Sequence, residues 1–314
     1  MTTRRALLRA WPALVAAPAL ALPPARWPSR PLRLLVAYAP GGVSDDISRL
    51  LAQRLGEQLG VPVIVENRAG AGGSLAMDQL ARLPGDGYTL CFSAITPLTL
   101  LPVLGTVPYD PLRDIAPVAA VMATPVLVLG TPALAARSLG ELVAEAGQRH
   151  LRWATSGHGT TGHLVLERVC RASGVRITHV PYKGGGQQLN DALSGQFEVL
   201  SSNVAALQLQ YLRQGLLHAL AVGAPARLAV LPEVPTLAEA GFAQANLSSL
   251  FGLFAPGRTS LALVERLHAE VNAVLQQPGF RQRLLAVSNL PGGGSADDFA
   301  QHIARELAAN RQAR

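Results

Sequence analysis

Three glycines in the middle of the chain have the spacing of an anion-binding turn. Gly157, Gly159 and Gly162 spell G-x-G-x-x-G between a short apolar run and a helical pattern. A strand, a glycine turn and a helix in that order are typical of dinucleotide-binding folds, in which the turn holds a pyrophosphate. The same arrangement suits other small anions, because the first amides of a helix have no intrahelical acceptor.

The residues that follow this turn argue against a dinucleotide. A dinucleotide fold needs an acidic residue about 20 positions further on, where it binds the ribose. Between Glu167 and Asp191 the chain has no acidic residue, and the predicted strand ending at Val180 continues into Pro-Tyr-Lys-Gly. We therefore expect neither a nicotinamide nor a flavin, and no other cofactor.

The same segment contains a possible nucleophile and base. Ser156 with His158 or His163 would suit an α/β hydrolase, but the nucleophile-elbow pattern G-x-S-x-G is absent and no carboxylate follows in an orienting position. Ser156 and Thr160 are also common helix-capping types. A hydrolase-like enzyme using Ser156 and His163 is therefore the alternative interpretation, and a protein without catalytic residues is the preferred one.

Cysteine and histidine give little indication of a metal or redox site. Cys91 and Cys170 are the only cysteines, and both lie in apolar patterns typical of buried free thiols, although an oxidising compartment would allow them to pair. His158 and His163 are five residues apart, without a carboxylate positioned to complete a site. We expect no metal.

A second glycine turn follows the first predicted strand, and an alternation of strands and helices surrounds both turns. This rhythm is typical of an α/β protein with a parallel sheet. Strands are predicted over 32–38, 61–65, 88–93, 126–129, 151–154, 177–180, 197–201, 217–222 and 250–254, and helices over 44–59, 74–82, 138–147, 162–173, 186–194, 204–213, 260–276 and 296–309.

The two glycine turns hold equivalent positions in the two halves of the chain. We name residues 39–45 the first glycine loop and residues 155–161 the second glycine loop. If the halves face each other, two helix N-termini converge on one anion, which would suit a carboxylate. Neither loop contains Lys or Arg, so amides, hydroxyls and water must hold the charge, and Lys183 is the nearest plausible cation.

Composition favours a globular, exported protein. The 314 residues are 49% hydrophobic and 15% charged, with a net charge of +7 that would fall to +4 without Arg4, Arg5 and Arg9. Those arginines precede an Ala-rich run and a small-x-small pattern at 19–21, so residues 1–21 are predicted to be a twin-arginine-like export signal and the protein to be periplasmic. The other arginines are scattered, so we expect no nucleic-acid partner.

Six short motifs together resemble the tripartite tricarboxylate transporter substrate-binding family, the Bug-type solute receptors. They run in order through nearly the whole chain after the signal: Ala-Pro-Gly-Gly-Val-Ser-Asp (39–45), Glu-Asn-Arg-Ala-Gly-Ala-Gly-Gly (66–73), Asp-Gly-Tyr-Thr-Leu (86–90), Pro-Tyr-Asp-Pro (108–111), His-Val-Pro-Tyr-Lys-Gly (179–184) and Phe-Gly-Leu-Phe-Ala-Pro (251–256).

The resemblance implies a two-lobe periplasmic binding-protein fold of the type II-like class, with a ligand cleft between the lobes and two crossover strands. Lobe 1 is expected over 30–124 plus 250–314, and lobe 2 over 125–249. The implied function is capture of a small carboxylate (a di- or tricarboxylate, acidic amino acid or aromatic acid) for a tripartite transporter or a sensor kinase. The family default is a monomer.

The ligand-binding residues follow from the resemblance and the two loops. They are Tyr38, Ala39, Pro40, Gly41, Gly42, Ser44, Asp45, Ser93, Thr96, Thr155, Ser156, His158, Gly159, Thr160, Thr161, Tyr182, Lys183 and Gly184. Two departures from the family pattern concern specificity. Ser-Ser-Asn (201–203) stands where an aspartate is frequent, so an ammonium group would need Asp45 or Asp191. His158 replaces a small polar residue and would add a donor if it faced the cleft.

Overall fold

The structure, a computed structural model, describes residues 27–312, so the predicted export signal lies outside the described residues. The strands are β1 (Leu32–Val36), β2 (Val63–Asn67), β3 (Thr89–Ala94), β4 (Ile115–Gly130), β5 (Arg152–Thr155), β6 (Thr178–Pro181), β7 (Val199–Asn203), β8 (His218–Gly223), β9 (Ser248–Pro256) and β10 (Leu290–Pro291). The helices are α1 (Val43–Leu59), α2 (Ser74–Ala81), α3 (Thr96–Thr99), α4 (Leu101–Leu104), α5 (Leu139–Ala146), α6 (Thr161–Ser173), α7 (Gly185–Leu193), α8 (Ala206–Arg213), α9 (Leu261–Leu275), α10 (Pro278–Leu285) and α11 (Ala296–Gln312).

The strands form two groups that share β4. In lobe 1 the order is β2-β1-β3-β9-β4, with β1 parallel to β2 and β3. In lobe 2 the second half of β4 lies between β7 and β8, and β7, β5 and β6 are parallel to one another. Parallel outer strands agree with the predicted alternation of strands and helices.

The prediction of a parallel sheet is wrong for the central strands. Strand β9 is antiparallel to both β3 and β4, and β4 is antiparallel to β7 and β8. The chain passes from lobe 1 to lobe 2 along β4 and returns along its neighbour β9, and adjacent strands running in opposite directions must pair antiparallel. The sheet is therefore mixed.

The two crossover strands are hydrogen-bonded to each other where they pass between the lobes. The β4–β9 register includes Thr124 opposite Ser249 and Pro125 opposite Ser248. The amide of Asn203, at the end of β7, donates to the Ser249 hydroxyl at 2.8 Å. The chain is therefore a two-lobe α/β protein with two crossover strands, and the exact lobe boundaries remain a prediction.

Each lobe has its own apolar packing. One cluster of buried side chains in lobe 1 packs both faces of the first strand group and includes Phe92, Phe254 and Phe280. Two clusters cover the opposite faces of the lobe 2 strands, one around Trp153 and one around Phe197. Because each lobe is packed internally, the space between them can serve a ligand.

Some elements differ from the sequence prediction. Strand β4 is 16 residues long, whereas the sequence predicted only 126–129. Pro117 and Pro125 lie in this strand, and proline normally weakens a strand signal because it removes a backbone donor. The short helices α3 and α4 and the helix α10 were not predicted.

Two further observations concern the cysteines and the membrane. Cys91 is buried and Cys170 half-buried, and both are free thiols. Burial raises the pKa of the Cys91 thiol, so it stays protonated at neutral pH. Within residues 27–312, none of the helices has both the length and the apolar character that a bilayer crossing requires.

Candidate ligand cleft between the lobes

A cavity lies between the two lobes beside the crossover strands. The space not filled by protein atoms, including the part open to solvent, is about 450 Å³. The cavity wall combines small, hydroxyl-bearing and aromatic residues from both lobes: Tyr38, Gly42, Val43, Ser44, Ala94, Thr96, Ser156, Thr160, Thr161, Gly162, Gly185, Ser202, Asn203, Ser249 and Phe251. The described residues that line this cavity include no acidic, basic or histidine side chain.

Three helices begin at the cavity. Helix α1 begins directly after Gly42, α6 directly after Thr160, and α7 directly after Gly184. The first amides of each helix have no intrahelical acceptor, and the helix dipole makes that end positive. The sequence predicted convergence of the first two helices, and α7 adds a third positive end through Gly185.

Hydroxyl and aromatic groups complete the wall. The Thr96 hydroxyl is buried beside the Tyr38 phenol. The ring of Tyr38 packs edge-on against Phe251, with centroids 6.0 Å apart. Burial raises the pKa of Tyr38 to about 12, so the phenol stays neutral. The cavity therefore offers neutral donors beside an apolar wall.

A charged network behind the cavity holds the first glycine loop. The Asp45 carboxylate accepts hydrogen bonds from the Gly41 amide at 3.2 Å, Arg49 at 3.1 Å and the Asn67 side chain at 2.9 Å. The Asn67 amide also donates to the Tyr38 carbonyl at 3.0 Å. Burial opposes ionisation of Asp45, but these donors outweigh it and lower its pKa. Two family motifs thus join to fix one loop.

Uncharged groups hold the second glycine loop. The Thr155 hydroxyl donates to the Gly157 carbonyl at 3.0 Å and accepts from the Gly157 amide at 3.2 Å. Thr160 caps α6, since its hydroxyl accepts from the His163 amide at 3.4 Å while donating to the Gly157 carbonyl at 2.8 Å. These short-range bonds shape the loop without any charged side chain.

The lobes touch each other through backbone and glycine. The Ala39 amide donates to the Lys183 carbonyl at 3.0 Å. A Cβ at Gly186 would lie 2.4 Å from the Pro40 carbonyl, and one at Gly72 would lie 2.3 Å from the His158 carbonyl. Only glycine allows backbones to approach this closely. The structure therefore shows a closed arrangement.

The structure places seven of the predicted residues on the cavity wall. These are Tyr38, Gly42, Ser44, Thr96, Ser156, Thr160 and Thr161. Eleven lie off the wall: Ala39, Pro40, Gly41, Asp45, Ser93, Thr155, His158, Gly159, Tyr182, Lys183 and Gly184. Several of these support the loops instead. The phenol of Tyr182 donates to Asp191 at 2.7 Å, and the Lys183 side chain is exposed.

Eight wall residues are absent from the predicted ligand-binding set: Val43, Ala94, Gly162, Gly185, Ser202, Asn203, Ser249 and Phe251. Three of them lie in predicted segments, since Val43 belongs to the first glycine loop, Gly162 closes the G-x-G-x-x-G turn and Ala94 lies between the predicted Ser93 and Thr96. A signal also existed for Ser202 and Asn203, because they occupy the strand end where the family often has an aspartate. Ser249 and Phe251 come from β9, whose register beside β3 and β4 no local pattern reveals.

The pairing needed for a hydrolase is not formed. Within residues 27–312, Ser156 makes no hydrogen bond to a histidine. The Nδ1 atom of His163 instead accepts from the Gly159 amide at 3.3 Å, and its Nε2 atom lies 3.7 Å from Glu167. Ser156 therefore lines the cavity without a base to activate it.

Three histidines cluster beneath the second glycine loop. The His163 ring lies 4.6 Å from the His158 ring and 4.1 Å from the His179 ring, measured between centroids. Burial, with smaller repulsion from the other two rings, lowers the pKa of His179 to about 4. Burial also lowers the pKa of His163, although Glu167 opposes this. The rings of His179 and His163 are therefore neutral at pH 7.

Comparisons with known proteins agree with this architecture. Residues 47–313 match the family described as tripartite tricarboxylate transporter family receptor. Protein BugT of Bordetella pertussis is 34% identical over 285 residues, which span 90% of this chain and 87% of BugT.

Solved structures match over almost the whole chain. Rpa4515 of R. palustris, solved with adipate, has a TM-score of 0.85 and 34% identity, covering 90% of this chain and 95% of that one. MatC of Rhodopseudomonas palustris, solved with bound malate, has a TM-score of 0.85 and 29% identity, covering 91% of this chain and 99% of MatC. The predicted family and the two-lobe fold are confirmed, and the chain belongs to the tripartite tricarboxylate transporter receptor family.

Proposed function

We propose that this protein is a periplasmic solute receptor that binds one small carboxylate between its lobes and has no catalytic activity. The observation that supports this most is the convergence of three helix N-termini on a cavity without charged side chains among the described residues. Each helix end contributes about 0.3–1 kcal/mol toward an anion, and up to ~2 kcal/mol when partly buried. Together with amide and hydroxyl hydrogen bonds, this is enough for micromolar binding.

The cavity favours an acid without an amino group. An ammonium group would need a carboxylate or several acceptors, and Asp45 and Asp191, the two candidates, both lie off the cavity wall with their own donors. The aromatic side of the wall, from Tyr38 and Phe251, suits a hydrocarbon chain or ring. The relatives solved with adipate and malate support the same ligand class.

The cellular role follows from the family. A receptor of this kind delivers its ligand to the membrane components of a tripartite transporter or presents it to a sensor kinase, and we propose one of these roles, with the receptor acting as a monomer. The predicted export signal supports a periplasmic location.

Titration calorimetry with adipate, malate, benzoate and glutamate tests the ligand class. We expect saturable binding of at least one of the first three acids, and weaker or no binding of glutamate. Binding should raise the melting temperature, because at about 100 times Kd a ligand stabilises the fold by about 2.7 kcal/mol. Binding of glutamate alone would contradict this ligand class. Turnover of any acid that is lost in Ser156→Ala would support the hydrolase alternative.

Gly42→Val tests the location of the ligand, with Gly105→Val as its control. A Cβ at Gly42 would lie 3.5 Å from the Gly185 amide, so the fold accepts it while valine fills the space in front of the helix ends. A Cβ at Gly105 meets no atom within 4 Å. We expect Gly42→Val to lose binding yet melt cooperatively, and Gly105→Val to bind like wild type. Full binding by Gly42→Val would place the ligand elsewhere.

A further inference from the structure

We propose that His158, His163 and His179 form a binding site for a divalent transition-metal ion such as Zn²⁺, separate from the carboxylate cavity. Each histidine offers one ring nitrogen, and these three nitrogens lie within 4.8 Å of one another. Imidazole is a preferred ligand of zinc, and three histidines with one open position are an established zinc-binding set.

The fold brings the three residues together from separate segments. Strands β5 and β6 are parallel, and their register places His179 opposite Trp153, two residues before the second glycine loop begins. His158 lies in that loop, and His163 is in the first turn of α6. The spacing of His158 and His163 alone did not predict a metal, because His179 joins them only through the β5–β6 pairing.

The hydrogen bonds of His179 leave one nitrogen free for a metal. Its Nε2 atom lies 2.7 Å from the Thr155 hydroxyl, and that hydroxyl donates its own hydrogen to the Gly157 carbonyl. When the Thr155 hydroxyl donates to Gly157, Nε2 of His179 carries the ring hydrogen and donates it to Thr155, which leaves the lone pair on Nδ1. A metal-ligating histidine usually donates its other N–H in this way.

His163 is held in a comparable manner. Its Nε2 atom lies 3.7 Å from Glu167, while Nδ1 accepts only the 3.3 Å contact from the Gly159 amide. With the ring hydrogen on Nε2 facing the carboxylate, Nδ1 becomes the ligand atom once the metal replaces the weak Gly159 contact. The result is a carboxylate–histidine–metal arrangement.

A small rearrangement completes the site. Tetrahedral zinc with bonds of about 2.0–2.1 Å needs its ligand nitrogens roughly 3.4 Å apart, so the cluster must tighten. His163 is buried and His179 half-buried, whereas His158 is exposed. His158 can therefore rotate toward the other two rings and also marks the path by which an ion enters. Water would occupy the fourth position.

Zinc titration of the tag-free protein tests this proposal. We expect wild type to bind one Zn²⁺ per chain, and His158→Ala and His179→Ala each to weaken this affinity by at least about tenfold. His302→Ala is the matched control, because His302 is exposed like His158 and lies 3.6 Å from Glu306, as His163 lies near Glu167, but is on α11. It should bind zinc like wild type.

Two further readouts keep the test decisive. His158 is exposed, so His158→Ala should melt like wild type without metal even if His179→Ala is destabilised. Co²⁺ should give the visible absorption of a tetrahedral site in wild type and in His302→Ala, but not in His158→Ala. Absence of saturable zinc binding by wild type, or unchanged zinc affinity in His158→Ala, would overturn the site.

Discussion

The first glycine loop ends in a buried carboxylate, Asp45, whereas the second is shaped by hydroxyls and contains no Asp, Glu, Lys or Arg. The Asp45 carboxylate accepts hydrogen bonds from the Gly41 amide, Arg49 and Asn67. It therefore connects the first glycine loop, α1 and the end of β2. Thr155 and Thr160 instead bond to Gly157, within their own loop. Both loops present helix amides to the same cavity, but the first depends on hydrogen bonds to a carboxylate and the second on hydrogen bonds of neutral hydroxyls. Each loop also has one partner distant in the sequence, Asn67 for Asp45 and His179 for Thr155.

This contrast teaches why the family motifs lie where they do. Asp45 and Asn67 are 22 residues apart and belong to two different motifs. Their side chains lie 2.9 Å from each other, and Asp45 is not on the cavity wall. Their side chains position the backbone of the first glycine loop, which lines the cavity. We expect substitutions of Asp45 or Asn67 to change carboxylate affinity by disturbing the first glycine loop. The following variants compare the carboxylate network of the first loop with the hydroxyl bonds of the second.

The largest effect is expected for Asp45→Ala. Removing a buried carboxylate leaves Arg49, Asn67 and the Gly41 amide without their acceptor, which costs about 3 kcal/mol of unfolding free energy. Carboxylate affinity should also fall, because the first loop loses its support. Urea denaturation and calorimetry measure both. Asp46→Ala, in the same helical turn but exposed, is the control and should cost no more than about 1 kcal/mol.

The Asp45 contribution should depend on pH in one direction. Because its folded pKa is lowered, the stability it provides is fully present above the ordinary aspartate pKa of about 3.9 and is lost as pH falls through the folded value. The difference in unfolding free energy between wild type and Asp45→Asn should therefore be constant from pH 7 to pH 5 and shrink in stronger acid. A difference that grew on acidification would contradict the assigned network.

A smaller loss is expected for Thr155→Val in the second loop. This nearly isosteric change removes the hydrogen bonds to Gly157 and His179, and neutral bonds of this kind contribute about 1–2 kcal/mol together. Thermal unfolding at several pH values between 5 and 7 should show a constant loss relative to Thr155→Ser, which retains the hydroxyl. A loss as large as that of Asp45→Ala would show that the two loops are held equally strongly.

The smallest effect is expected for Lys183→Ala. The Lys183 side chain is exposed and off the cavity wall, and only its backbone carbonyl contributes, by accepting from Ala39. Carboxylate affinity should change less than about twofold, since an isolated exposed charge contributes little. If Lys183→Ala showed no binding in calorimetry, the Lys183 side chain would be the group that binds the ligand carboxylate.

The sequence predicted those parts of the molecule that depend on local pattern. Apolar runs such as 32–36 gave strands, and the glycines before α1 and α6 indicated two of the three helix ends at the cavity. Features that depend on register were missed. Phe251 reaches the cavity through β9, and His179 reaches His163 through β6, and neither contact has a local signature.

The central claim is that backbone amides and hydroxyls between the lobes hold the carboxylate. A crystal structure with the carboxylate acid identified by calorimetry tests it most directly. We predict carboxylate oxygens within about 2.7–3.2 Å of amides at the start of α1, α6 or α7, with no arginine or lysine side chain in contact. A carboxylate paired with an arginine or lysine, or bound outside this cavity, would contradict the account.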